Sequence, residues 1–291
     1  MRTKDHAAYL YIIPSLLFIL MFLFLPILYN VLVGFTDLRG VKFEKMSFIG
    51  FANYVQLVSD PIFLKSLTNV FVFMLLTLLF QMGLGLLLTV FLANKFRGHR
   101  VMELIFFMPV VLSSVVIAHS FNQIYEPNFG GLNRLLDFLG LGDFQRIWLG
   151  DQTWALYAIL AANIYQWTGM GIIYYRVGLA NISQEIYEAA KIDGAGFWQQ
   201  LIRITTPLLK YSHLTIMLMT TIGTLKFFDL VYIMTGGGPA GSTEFPMTYL
   251  YKRLSMEGNN GLGSALATLV VILAIALAVV QTKAFKKVDV D

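Results

Sequence analysis

The 291-residue sequence contains no cysteine, which excludes disulfides, thiolate metal sites and cysteine nucleophiles. Charge is scarce too. Asp, Glu, Lys and Arg make up 13% of the chain, against roughly 25% in soluble domains. The four histidines, His6, His99, His119 and His213, are scattered without the spacing of metal ligands. No low-complexity tract, separate soluble domain or convincing internal repeat interrupts the chain. Gly236 to Thr243 has the glycine spacing of a phosphate loop, but the lysine is missing and no strand precedes it. The net charge of +4 is spread over short loops and points to no nucleic-acid partner.

What the chain does have is apolar surface. Hydrophobic residues account for 57% of it, including 24 Phe, more than a soluble core of this size could hide. A membrane span needs about 20 mostly apolar residues. Six stretches qualify: Tyr9–Phe35, Ser66–Ala93, Val101–Ile124, Trp154–Val177, Leu208–Met234 and Gly261–Thr282. The first is too long for the core of a signal peptide and is followed by no small-residue cleavage site, so it reads as an uncleaved helix.

The loops orient these spans. With the N-terminus cytoplasmic, that side collects Arg2, Lys4, Lys95, Arg97, Arg100, Arg176, Lys191, Arg203, Lys210, Lys283, Lys286 and Lys287. The other side holds Arg39, Lys42, Lys45, Lys65, Arg134, Arg146, Lys252 and Arg253 in longer loops that also carry acids. The positive-inside rule then puts both termini in the cytoplasm. On the outer side, Phe48–Tyr54 enters a short amphipathic segment ending at Asp60-Pro61, and Gly130–Asn133 leads into another over Arg134–Leu141. These lie on the outer membrane face, form a docking rim, or serve packing alone.

One polar stretch stands out among apolar neighbours. Ser183 can cap a helix whose first turn holds Gln184 and Glu185, the charge that a helix N-terminus favours. Ile186, Ala189, Ala190 and Asp193 fall at spacings of three and four, so small residues share a face with a carboxylate. Gly194 fits the left-handed position that ends a helix. A second helix from Phe197 to about Thr205 follows, before Pro207 opens the next span. The result is a compact knob that another protein could approach closely, or an amphipathic hairpin lying on the bilayer.

Within the spans, polar groups are costly and turn inward. Asn163, Gln166 and Trp167 share one helical face, pairing amides for hydroxyls with an indole for a sugar ring, or else bonding a neighbouring helix. Span five carries Thr224, Lys226, Phe227, Phe228 and Asp229. Lys226 and Asp229 are three apart and either face a cargo or pair with each other. Ser113 and Ser114 follow Pro109 in span three. Gly261, Gly263, Ala265 and Ala267 read as a helix-packing row, and His119 and His213 as satisfied helix residues.

The knob resembles the EAA loop of ABC importer permeases: Glu188-Ala189-Ala190, three residues, Gly194, nine residues, Ile204, one residue, then a dipeptide ending in Pro207. Thr206 departs from the family's leucine. Thr235–Pro239 resembles the Thr-x-Gly-Gly-Pro loop of carbohydrate-uptake permeases of the maltose-permease type, and Phe48–Tyr54 with Asp60-Pro61 resembles that group's first external segment. The resemblance spans nearly the whole chain. It implies an all-α membrane protein with six transmembrane helices and the type I importer permease fold. Residues 1–65 would hold the first helix and external segment, 66–284 the core with its coupling loop at 183–207, and 285–291 a cytoplasmic tail.

The same resemblance implies the partners and the roles. A second homologous permease, two ATP-binding subunits and an extracytoplasmic sugar-binding protein would complete the importer, in contact with lipid in a bacterial inner membrane. ATP and Mg would bind only the partner ATPases, so this chain would carry no cofactor and catalyse nothing. Glu188, Ala189, Ala190, Asp193 and Gly194 would seat in an ATPase cleft. Positions that contact sugar in maltose-type permeases fall at Ser114, Asn163, Gln166, Trp167, Met170, Thr224 and Phe227, of which Ser114 and Asn163 keep the family residue. The cargo would be a carbohydrate, an oligosaccharide above all. A glycerol phosphodiester or sugar phosphate would call for a cation such as Lys226. An ion-coupled carrier would need no ATPase and would use Asp229 or Lys226; a membrane anchor or enzyme lacks a catalytic constellation to support it.

Overall fold

A computed structural model describes residues 4–40, 46–93 and 96–287, with side chains from Tyr11 to Phe285. Arg2, Lys4, Lys42, Lys45, Lys95, Lys286 and Lys287, used above for orientation, fall outside the described side chains, as does most of the expected tail. The described chain is all-helical, with two isolated bridges, Thr36–Phe48 and Arg39–Asn259, in place of any strand. It divides into two compact units, Met1–Leu64 with Tyr249–Leu273, and Lys65–Thr248 with Ala274–Asp291.

The first unit opens with α1 (Lys4–Ile19) and α2 (Leu25–Val33), joined by a π turn at Leu20–Phe24. Pro26 supplies no N–H, so the regular bond one turn back cannot form, and the wider turn absorbs the defect. After α2 the chain folds back through a buried Asn53, whose amide donates to the carbonyls of Gly34 (2.9 Å) and Thr36 (2.8 Å). Asn53 lies on α3 (Ala52–Ser59), which follows Gly50 at φ +59. Phe35, Phe51 and Tyr54 pack their rings around this corner.

Asp60 then caps α4 (Pro61–Ala93), accepting from the Ile62 amide at 2.8 Å. Its other oxygen accepts from the Tyr249 hydroxyl (2.6 Å) and from the Arg253 guanidinium (3.1 Å), which also pairs with Glu257. Burial alone would raise the Asp60 pKa. The hydrogen bonds from Tyr249, Ile62 and Phe63 and the Arg253 charge outweigh it and hold the carboxyl below its ordinary value. A depressed folded pKa means the stabilisation is complete above the unfolded value of about 3.9 and is lost as pH falls through the folded one. Asp60→Ala is expected to lower the melting temperature in detergent by about 4 °C at pH 7, from loss of a cap and an ion pair. Mutant and wild type should converge in acid below the carboxylate range; equal melting at pH 7 would contradict this role.

In the second unit, α5 (His99–Val111) and α6 (Ser114–Ile124) meet at 103°. The expected single span Val101–Ile124 is therefore broken. Leu112 and Ser113 are extended, with ψ of 144° at each, and the Ser113 hydroxyl accepts from Val116 to start α6. The short α7 (Gly131–Phe138) is anchored by buried Asn133, whose side-chain oxygen accepts from the Trp148 indole N–H at 2.8 Å. Next comes α8 (Ala155–Ala180), whose small residues permit close approach: a Cβ on Gly171 would lie 3.0 Å from the Gln81 carbonyl and 3.5 Å from Gly85.

The polar knob is α9 (Gln184–Ile192) and α10 (Phe197–Gln200), followed by a π turn over Leu201–Thr205, which replaces the end of the expected second helix. The expected span Leu208–Met234 is divided twice. A short α11 (Thr206–Leu208) ends at Leu209, α12 runs Lys210–Leu225, and α13 resumes at Asp229–Met234. Lys226–Phe228 form the second break, with Phe228 at φ −134°. After the 235–245 loop come α14 (Pro246–Tyr251) and α15 (Asn260–Lys287).

By length and composition, three described helical stretches can cross a membrane: Tyr11–Val33, Pro61–Ala93 and Asn260–Phe285. The bent pair α5–α6 would make a fourth. The protein is a multi-pass membrane protein built of apolar helices.

Candidate functional site

A cavity of about 370 Å³ opens inside the second unit, within the range of small-molecule sites. Four helices and the 226–229 break build its wall. α8 contributes Asn163, Trp167 and Met170 at helical spacing, so one face of the helix is turned to the cavity. Ser114 enters from the bend between α5 and α6. Thr224 comes from α12, and Phe227, Phe228 and Asp229 from the segment where the helix is interrupted.

Gln166 does not line the cavity. It is buried, and its amide donates to the Leu112 carbonyl and the Ser114 hydroxyl, both at 3.3 Å. Its position on α8 points it at the bend, where the extended Leu112 leaves a carbonyl to satisfy. The amide thus holds Ser114 in place.

The sequence reading named neither Gln81 nor Thr77, yet both face the cavity from α4. Gln81 is buried at the junction of three helices. Its Nε2 donates to the Trp167 carbonyl at 3.1 Å, and its Oε1 accepts from Thr220 at 2.6 Å. The Asn163 amide donates to the Thr77 hydroxyl at 3.4 Å. A lone glutamine in a 33-residue apolar helix was the available signal. Lys226 also lines the cavity, and no ion pair joins it to Asp229 among the described residues. The helix breaks between them, so the i,i+3 geometry that would bring them together does not exist.

The aromatic side of the wall is fixed by packing. Phe227 stacks obliquely on Phe73, centroids 5.0 Å apart, and meets Phe245 at 5.8 Å; Phe228 stacks on Tyr232 at 5.0 Å. Chemically, the cavity offers an indole face, phenyl faces, an amide pair and threonine hydroxyls, with one cation and one carboxylate at its edge. The described residues include no cluster of His, Cys, Asp and Glu fit for a metal ion.

The knob is a separate surface. Ser183 accepts from the Glu185 amide at 3.3 Å to begin α9. Gly194, at φ +79, ends it: the Gly194 N–H donates to the Lys191 carbonyl and the Ala195 N–H to the Ala190 carbonyl. That reciprocal pair is the Schellman closure of a helix. Glu188, Ala189, Asp193 and Gly194 are exposed. Ala190 is not; at 8% exposure it packs into its own chain, so the small-residue face is narrower than the spacing suggested. One turn on from Glu188, Ile192 stands 87% exposed, and on α10 Trp198 is 63% exposed. Exposed apolar side chains on a polar knob suit a protein partner.

The family model described as the binding-protein-dependent transport system inner membrane component matches residues 7–288. YurN of Bacillus subtilis, a probable ABC transporter permease protein, is 38% identical over 280 residues, covering 96% of this chain and 95% of the relative. The trehalose/maltose transport system permease protein MalF of Thermococcus litoralis is 30% identical, over 94% of this chain and 92% of its own. LacF of Rhizobium radiobacter, a lactose transport system permease protein, is 34% identical over 86% and 84%. The fold is shared with a solved bacterial ABC transporter involved in import of the acidic polysaccharide alginate, with a TM-score of 0.84, 21% identity, and 98% and 96% of the two chains covered. This chain belongs to the family of binding-protein-dependent transport system inner membrane components.

Proposed function

We propose that the chain is the membrane-spanning permease subunit of an ATP-driven importer that moves an oligosaccharide across a bacterial inner membrane. The observation that carries this reading is the cavity, where Trp167 offers a stacking plane beside Asn163, Gln81 and the hydroxyls of Thr220 and Thr224. Sugars need that combination, since amides and hydroxyls bond their OH groups while an aromatic face covers the ring. Relatives named for trehalose/maltose, lactose and arabinooligosaccharides support the cargo class.

The remaining parts follow from the family. Six spans, with α8 and the broken α12–α13 counted as two of them, would put both termini and the knob in the cytoplasm. There Glu188, Ala189, Asp193 and Gly194 would face an ATPase, and Ala190 would support them from beneath. A second, homologous permease would complete the pathway, two ATPase subunits would bind ATP and Mg, and an extracytoplasmic binding protein would deliver the sugar. A solved alginate transporter in complex with a pentasaccharide-bound periplasmic protein supports that last partner. Ser114, Asn163, Trp167, Met170, Thr224, Phe227, Phe228 and Asp229 form the pathway wall, with Gln166 holding Ser114. A second reading, a phosphate-bearing sugar or glycerol phosphodiester, draws on Lys226 in the cavity wall, which makes no ion pair among the described residues.

Affinity purification of the tagged chain from its native membrane, with mass spectrometry, tests the assignment. Co-purification of a second permease, an ATPase and a binding protein is the expected result, and ligand screening of that binding protein then separates neutral sugars from phosphates. A homomeric protein with no ATPase would overturn the reading and make Asp229 and Lys226 candidates for ion coupling.

A further inference from the structure

The joint between the knob and α12 holds a relay that neither the cavity nor the knob surface explains. Pro207 has no N–H to donate, and the chain before it widens into the π turn over Leu201–Thr205. The Thr206 N–H and hydroxyl both donate to the Leu201 carbonyl, the hydroxyl at 2.8 Å, which pins the end of the π turn. The helix then stops at Leu209 (φ −88°, ψ 15°) before restarting at Lys210. Across this stop, His213 Nε2 reaches back to the Thr206 carbonyl at 3.0 Å, and Nδ1 meets the Tyr175 hydroxyl at 2.7 Å. A carbonyl only accepts, so Nε2 carries the proton, and Nδ1 accepts from the Tyr175 O–H.

Both ends of the relay are fixed. Tyr175 is fully buried, in one cluster with Leu209 and Ile216, and Gly178 one turn on lies against Ser212 and Leu209 with no room for a Cβ. Toward the knob, the Tyr187 hydroxyl of α9 bonds the Thr205 hydroxyl at 3.0 Å. Toward the cavity, Tyr174 and Met170 of the same helix as Tyr175 line the wall. Hydrogen bonds therefore tie α9 to Thr205 and, through Thr206 and His213, reach Tyr175 on α8, the helix whose Met170 and Tyr174 line the cavity.

We propose that His213 is a positioning residue that ties the knob's exit to α8, so that a displacement of the knob reaches the cavity through the His213–Tyr175 bond. The proposal rests on the importer reading, in which an ATPase moves the knob. Without the bond, the bent segment over 201–209 can flex at its π turn and at Leu209 and absorb the motion instead.

The chain has no cysteine, so a single cysteine introduced at Met170 reports on the cavity. The test uses the complex purified with its ATPases in lipid nanodiscs. It follows maleimide labelling of Met170→Cys on this chain with and without ATP plus vanadate. In that background the labelling rate should change with nucleotide. Tyr175→Phe or His213→Ala should reduce that change about tenfold, the scale of one or two lost hydrogen bonds, while ATPase co-purification and ATP hydrolysis persist. His213→Gln should restore it, because a glutamine amide can donate to Thr206 and accept from Tyr175. If His213→Ala does not assemble, Tyr175→Phe, which removes one oxygen only, decides. A background that responds while both variants respond equally overturns the relay alone. A background that never responds overturns the importer reading and the relay with it.

Discussion

Glu188→Lys is expected to strip the ATPase from the purified complex and abolish uptake, while the permease still folds. Glu188 sits on the exposed face of α9, and its side chain makes no hydrogen bond or ion pair with its own chain among the described residues. Nothing internal depends on it, so its melting temperature should stay within about 1 °C of wild type, as for surface changes in general. The partner side is different. If Glu188 seats against a basic group, reversal sets two cations together in a contact closed to water. Like charges so placed cost several kcal/mol, which weakens association by about a thousandfold. Glu188→Gln, which removes attraction without adding repulsion, should weaken it far less. Co-purified ATPase per permease is the measurement. Full recovery of ATPase with Glu188→Lys would remove the knob from the coupling role, whatever the transport result.

Gly194 bears on the same surface through its backbone conformation. A Cβ there meets open space, but the residue sits at φ +79. Any L-residue strains the left-handed closure by about 1 kcal/mol and loosens the end of α9.

The knob was legible because its signals are local: a serine cap, acids in the first turn, and a glycine where the helix must end. The helical class and the apolar stretches were legible from hydrophobicity alone. The breaks were not. An average over twenty residues treats Val101–Ile124 as one span, while the 103° bend depends on two extended residues and a serine cap. Likewise Lys226 and Asp229 look like neighbours on a helix only while the helix is continuous. The cavity wall was half visible: Asn163 and Trp167 announce themselves as polar and aromatic groups at helical spacing. Gln166 shares their stripe but turns to the bend, since the choice between cavity and neighbour depends on where α5 ends. Gln81 and Thr77 were hidden in the longest apolar helix, where polar residues far from any motif carry no local context.

The largest stability effect should come from glycines, and the sign should depend on which one is changed. Gly83→Ala and Gly169→Ala are the same chemical change, each inside a long helix. At Gly83 a Cβ meets nothing within 4 Å. Alanine there should leave stability unchanged or raise it, by up to about 1 kcal/mol from helix propensity. At Gly169 a Cβ would overlap the Phe106 carbonyl oxygen and lie 3.0 Å from a Val110 methyl. A backbone carbonyl cannot turn aside, so α5 and α8 must separate. Overpacking of that kind costs about 1–3 kcal/mol, and Gly169→Val, with two more methyls against the same helix, should exceed it. The damage would not stop at packing. α5 leads into the bend whose Leu112 carbonyl and Ser114 hydroxyl hold the Gln166 amide, so withdrawing α5 breaks both bonds and carries Ser114 away from the cavity. Gly169→Ala should therefore lower the melting temperature by about 3–8 °C, and Gly169→Val should yield little folded protein. Sugar uptake per folded molecule should fall in Gly169→Ala and hold in Gly83→Ala. Equal melting of the two alanine variants would mean that α5 and α8 do not meet at Gly169, and the bend would then need another support.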